Sequence, residues 1–339
     1  RGQSYHLSWD PLNERIIYCH GKSVYMRSLY SLGECLAYHQ HTAQTTAAKL
    51  SPSGYYIASG DINGNVRVWD VSNSDGSNIL KYSGKILSME VRDIAWDFES
   101  QRIAVVGKCS AAGDAKFGAV ISYDSGNKCG EILGHSKTIN ACCFDPTGRP
   151  FKLATCSDDG LVSFFKNVPL TFVASSDNHA GRFVHHLQYS PDGKHFVSVG
   201  SDGKANMYDV ASGQFIGELA AVKGTSIFSV AWSPDSTTVY FACADGKGRV
   251  VDVATKTINR ELAFPSDNVL DRQQVGCLWI KSKTDDSVIV SLAASGKISC
   301  FRNNDTSPFQ VLAGHSAGIV SLSAGSDGKV ISQDSDDQC

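Results

Sequence analysis

Seven strand endings impose a period on the whole chain: "SVYMRSL", "NVRVWDV", "AVISYDSG", "LVSFFKN", "KANMYDV", "GRVVDV" and "KISCFRN". Each is an alternating segment that closes on a large apolar residue followed by a polar one. The pairs are Met26-Arg27, Trp69-Asp70, Tyr123-Asp124, Phe165-Lys166, Tyr208-Asp209, Val251-Asp252 and Phe301-Arg302. Successive pairs lie roughly 43 residues apart, stretched to about 50 twice, which is the length of a four-stranded propeller blade.

Within a unit the same elements return in order. In the fifth, "FVHHLQYS" leads through "PDGK" to "HFVSVGS", then through a tight turn to "ANMYDV", and through "ASG" to the outer segment "QFIGELA". Asn63-Gly64, Asp159-Gly160 and Asp202-Gly203 supply the positive φ angles that two-residue hairpins require. Short strands with turn residues every ~10 positions and no amphipathic helix predict an all-β fold. A β-sandwich needs no such period, whereas radial repetition lets each blade bury both faces against its neighbours. The expectation is a seven-bladed β-propeller.

The units carry the marks of WD repeats in degenerate form. Trp69-Asp70 is the one WD pair in the expected place, and Gly134-His135 and Gly314-His315 match the Gly-His that precedes a first strand. In such repeats a His, a strand Ser or Thr, the turn Asp and the Trp form a buried hydrogen-bond chain that rigidifies the blade. Trp69, Asp70, His135, Asp159, Asp202 and His315 are accordingly read as structural. Because Phe165, Tyr208 and Val251 replace the Trp, the chain of bonds is expected to be broken in most blades.

The first unit opens on an inner strand, "SYHLSW", and the seventh ends on its own outer strand, "FQVLAG". The ring should therefore close without exchanging an N-terminal strand. After Gly314-His315 an eighth unit begins, about a dozen residues too short, with the missing piece near Ala324-Gly325. Residues 1–313 are thus expected to form the propeller. Residues 314–339 are expected to be an incomplete start of a further repeat or a disordered tail. Arg1 in the first position points to a trimmed start.

Lys+Arg 31 against Asp+Glu 34 leaves a net charge of -3, which provides no field for nucleic acid or an anionic membrane. The apolar stretches are strand-sized, far below the ~20 residues of a membrane-spanning helix. The 11 cysteines are odd in number, scattered and without a C-x-x-C pair, so they read as buried thiols in a reducing cytosol. H-E-x-x-H and G-x-x-x-x-G-K-[ST] do not occur, and His185-His186 would face opposite sides of a strand. An enzyme would need acids or histidines converging on the central channel, and the turn acids are expected at blade rims instead. No catalysis, cofactor or metal is expected, and a monomer is. A rigid disk that presents loops to a protein partner remains.

Several segments narrow that class. "SPSGYYIASGDINGNVRVWD", "DIAWDFESQRIAVVG", "KFGAVISYDSGNKCGEILGHSKTINAC", "RPFKLATCSDDG" and "QQVGCLWI" resemble the actin-interacting protein 1 family, and the resemblance runs over nearly the entire chain. It covers the first of the family's two seven-bladed propellers. It implies a cytoplasmic protein of the actin cytoskeleton whose partners are actin filaments and cofilin (ADF). Such a protein promotes severing and disassembly of cofilin-decorated filaments and caps their barbed ends. The alternative is a generic WD-repeat scaffold such as a ubiquitin-ligase substrate adaptor. Those adaptors often carry Arg two residues after the WD pair, and here Val71-Ser72 follows Trp69-Asp70.

The resemblance also carries partner-binding residues to this chain. Asp158 is the first acid of "SDDG", Phe172 lies in "PLTFVASS" and Phe183 in "GRFVHHL". An aromatic on a loop is an interface anchor with much area to desolvate. The structural alternatives are that Phe172 packs on its outer strand and that Phe183 covers the blade edge. In the loop "KCSAAGDAKFG", Lys116-Phe117 is a family mark. The acid that relatives carry directly before the basic residue is Ala115 here, with Asp114 one step earlier. Asp114 is the candidate to take over that acidic contact.

Overall fold

The structure is a computed structural model that describes residues 4–31, 35–72, 79–110, 116–283, 287–302, 304–313, 319–324 and 330–334, the last two segments as backbone. The period of the sequence becomes seven four-stranded antiparallel sheets, each a meander of consecutive strands. They are blades one to seven, over residues 8–38, 45–85, 91–131, 139–176, 184–221, 227–263 and 274–312. One short helix, Val269–Arg272, lies between blades six and seven. The chain is a seven-bladed, all-β propeller, as the period predicts.

Alternation places the strands. In the second blade Ile57, Ala58, Val66, Val68 and Trp69 are buried, and Tyr56↔Asp70 through Gly60↔Val66 fix the register. The apolar faces meet between blades. Val66 and Val68 pack with Val91, Ile94 and Val105 of blade three, and Val197 and Met207 of blade five with Ile227, Val230 and Phe241 of blade six. Burial of this kind is worth about 25 cal/mol per Å² of apolar surface, and a blade alone could bury one face at most. The ring is therefore the stable unit.

Closure uses whole blades. The seventh is built from Gln274–Ile280, Val288–Ala293, Ile298–Arg302 and Gln310–Leu312, and the first from 8–38, so no strand is exchanged. Leu7, Ile16 and Leu29 pack against Ile280, Val288, Val290 and Leu312. Glu14 seals the seam, its Oε1 accepting from Ser282 Oγ (2.8 Å) and the Lys283 amide (2.6 Å). Beyond the ring Ile319–Ala324 pairs directly with Val330–Asp334 as a two-stranded antiparallel sheet.

An antiparallel meander puts its connections at alternating ends. Turns between second and third strands, and the links from one blade to the next, share one rim, here the entry rim because every first strand begins there. Turns between first and second and between third and outer strands share the opposite rim.

Candidate protein-interaction face

The buried hydrogen-bond chain survives in three blades. In the second, His41 Nε2 meets Ser59 Oγ at 2.7 Å, and Trp69 Nε1 donates to the same oxygen at 3.2 Å. Trp69 also stacks on Tyr38 with ring centroids 4.1 Å apart. In the fourth, His135 joins Thr155 Oγ1 (2.8 Å) to Asp159 (3.0 Å). In the fifth, His179 joins Ser198 Oγ (2.8 Å) to Asp202 (3.0 Å). With Phe165 in place of the Trp, blade four loses that donor but keeps His, hydroxyl and Asp connected, and in blade five Ser198 Oγ donates to the Tyr208 hydroxyl at 3.5 Å. His41 and His179 escape a search for Gly-His. The readable signal is a His 18 to 20 residues before the second-strand Ser or Thr. His315 lies outside the described residues.

These bonds shape the entry rim. Burial opposes ionisation of Asp159, but His135 and the Leu161 and Ser136 amides outweigh it and hold the carboxyl at about 2. Gly160 follows at φ +89°, and a Cβ there would stand 2.6 Å from Gly181 Cα. Only glycine lets the fourth-blade turn lie against the link into blade five.

That packing brings two of the sequence-derived partner residues together. Asn140, itself buried, donates through Nδ2 to Asp158 Oδ1 and to the Val184 carbonyl, both at 2.8 Å. Val184 follows Phe183, a residue 49% exposed at the start of blade five. An acid and an aromatic therefore stand on one blade seam, tied through one amide. The nearby His185 is buried against Phe228, ring centroids 4.9 Å apart, and burial lowers its pKa to about 4 against the pull of Asp158.

Phe172 is placed elsewhere. It is the second residue of the outer strand Thr171–Ser176 and pairs with Phe165, near the opposite rim. Its ring lies edge-on to Phe165 at 5.8 Å, as Phe215 lies to Tyr208 at 5.7 Å. Leu80 and Ile258 occupy the same register position, opposite Trp69 and Val251, and are also exposed. The exposure of Phe172 is thus a property of the repeat. Phe117 is half-buried against the apolar cluster between blades three and four, and Lys116 reaches Glu131 Oε1 at 3.2 Å. Asp114 lies outside the described residues.

The channel holds what the sequence did not foretell. His6, from the segment before blade one, and Lys49, Asp93 and His186, from blades two, three and five, converge there around a cavity of about 80 Å³. His6 and His186 face each other at 4.8 Å, and Asp93 Oδ2 accepts from the Cys142 amide at 3.1 Å. Burial pushes the Asp93 carboxyl up and the His6 imidazole down to about 3. The cavity has room for water rather than a substrate. Among the described residues no three His, Cys, Asp or Glu side chains form a metal site, and the ten described cysteines are free. One enzyme spacing does occur by letters: "GHSAG", Gly314 to Gly318, has the form G-x-S-x-G. It lies outside the described residues and is followed by a strand, Ile319–Ala324, where a nucleophile elbow leads into a helix.

The fold, the surviving His–hydroxyl–Asp bonds and the rim loops define a WD-repeat β-propeller. The family model "WD domain, G-beta repeat" matches residues 33–70, 126–166, 170–209 and 213–252, each segment ending on the polar member of an anchor pair. Curated relatives match along nearly the whole chain. WD repeat-containing protein 1 of Mus musculus is 39% identical over 95% of this chain and 51% of its own length. Actin-interacting protein 1 of Caenorhabditis elegans is 40% identical over 98% and 53%, and that of Drosophila melanogaster 37% over 98% and 52%. The chain belongs to the actin-interacting protein 1 (WD repeat-containing protein 1) family. It spans about half the length of these relatives.

Proposed function

We propose that this propeller binds actin filaments and acts with cofilin. It promotes severing and disassembly of cofilin-decorated filaments and keeps their barbed ends from regrowing. The observation that carries this reading is identity of 37–40% along 98% of the chain with two proteins named actin-interacting protein 1. The chain is read as one of two propellers, with the strand pair at 319–334 as the start of a further repeat. It works as a monomer in the cytoplasm, without catalysis or a cofactor.

The mechanism follows from differential affinity. A binder that prefers the cofilin-altered filament, or the ends it yields, shifts the population toward them by the ratio of its affinities for the two states. A rigid disk suits this role, because its rim loops are positioned before contact and little ordering entropy is lost on binding. Asp158 and Phe183 supply an acid and a desolvatable ring on one seam. Lys116, Phe117 and Asp114 belong to the adjacent blade-three loop, whereas Phe172, on the outer strand near the opposite rim, is a second contact apart from that face.

Co-sedimentation with actin filaments, bare and saturated with cofilin, tests the reading. The chain is expected in the pellet with decorated filaments in excess of its recovery with bare ones. Equal, negligible recovery in both would refute it.

A further inference from the structure

The first described residues do not simply lead into blade one. They cross the mouth of the channel at the entry rim and are tied to distant blades on the way. Ser4 Oγ donates to the His185 carbonyl of blade five at 3.0 Å. The Tyr5 amide donates to the Val275 carbonyl of blade seven at 3.0 Å. His6 Nε2 meets the Asn140 carbonyl of blade four at 3.2 Å. All three carbonyls belong to the second residue of a first strand, so the strap lies level with the start of the ring's inner wall. Gly276 makes room for it: a Cβ there would stand 2.4 Å from the Tyr5 carbonyl oxygen.

The two ends of this strap land on the residues that hold the acid and the aromatic. His6 binds the backbone of Asn140, whose side chain binds Asp158. Ser4 binds the backbone of His185, two residues after Phe183. Between them Tyr5 is pinned by its amide while the residue as a whole is 53% exposed. Among the described residues its ring stacks on no other ring and its hydroxyl makes no hydrogen bond. A segment tied to three blades, by the Tyr5 amide and by the side chains on either side of it, and a large amphipathic ring make the arrangement of an interface anchor: the ring's ordering cost is low and its desolvatable area is high.

The geometry points to Tyr5 as a partner-binding residue that completes a face of Tyr5, Asp158 and Phe183 across the blade-four to blade-five seam and the channel mouth. Such a face fits a protein surface that offers a basic side chain opposite Asp158, flanked by apolar area for the two rings. This rests on the actin and cofilin reading, which names that surface as the cofilin-decorated filament.

The test is binding of the fluorescently labelled chain to immobilised cofilin-decorated filaments, titrated to saturation. Compared are wild type, Tyr5→Ala, Tyr5→Phe, Asp158→Ala and Phe183→Ala. Tyr5→Ala should weaken binding by about tenfold or more, on the scale of an aromatic hot spot, with an unchanged thermal midpoint. Tyr5→Phe should keep most of the affinity, because the ring supplies the area. Tyr5→Ala binding like wild type, whatever Asp158→Ala and Phe183→Ala do, overturns the inference. A wild-type chain that fails to bind decorated filaments refutes the filament reading itself, a result distinct from a silent Tyr5.

Discussion

Asp158 and Asp159 are adjacent acids with opposite assignments, and Asp159→Asn separates them. The Asp159 carboxylate accepts from His135 Nδ1 (3.0 Å), Ser136 N (2.9 Å) and Leu161 N (2.9 Å), with 5% of its side chain exposed. Its ordinary pKa of 3.8 falls to about 2 in the fold. That difference corresponds to about 2 kcal/mol of folding stability at pH 7, with little solvent screening at so covered a site. Because the folded value is the lower one, the contribution is complete above the ordinary value and is lost as pH falls through it toward 2. By the same linkage, about 1 kcal/mol of it remains at pH 3. Asparagine keeps the size but turns an N–H₂ toward donors, so a similar loss is expected from hydrogen bonding alone. Urea unfolding followed by tryptophan fluorescence should show Asp159→Asn less stable by about 2 kcal/mol at pH 7 and by about half that at pH 3. A variant within ~0.5 kcal/mol of wild type at pH 7, or a gap that does not narrow with acid, refutes the reasoning. Asp158→Ala, which gives up one hydrogen bond, should unfold near wild type.

Three further outcomes are expected. Trp69→Ala removes the stack on Tyr38 and the donor to Ser59 and should cost about 3–5 kcal/mol in the same assay. Burial lowers His6 to about 3 and His185 to about 4, so between pH 6.5 and those values only the unfolded chain takes up their protons. Stability should fall across that window, and His6→Gln should flatten the slope by up to one proton in a pH series of unfolding curves. Gly276→Ala drives a Cβ against the Tyr5 carbonyl and should cost about 1–3 kcal/mol. It should also speed hydrogen exchange at the Tyr5 amide, and an unchanged exchange rate would show that the strap is not held there.

Much of the fold could be read from local chemistry. Trp69, Tyr208 and Val251 differ in kind but share a register, each the buried end of a third strand, because alternation and the preceding glycine turn place them regardless of side chain. Ring closure was equally readable, since 8–38 and 274–312 each contain four strands of their own. The bonds of His41 and His179 were not, because neither follows a glycine. The position of Phe172 near the opposite rim follows from its pairing with Phe165, which the resemblance to the family does not display. Least legible was the channel. Ser4 and His185 stand 181 residues apart, and His6 and Asn140 134. No periodicity brings such pairs together, only closure of the ring.

Hydrogen–deuterium exchange of the chain, free and bound to cofilin-decorated actin filaments, tests most directly that the partner surface is the entry rim of blades four and five with the strap beside it. Binding should protect residues 158–160, 177–183 and 4–6, and leave the opposite-rim turns at 191–194 and 234–237 exchanging as in the free chain. Protection of those opposite turns, with the entry rim unchanged, would contradict the account.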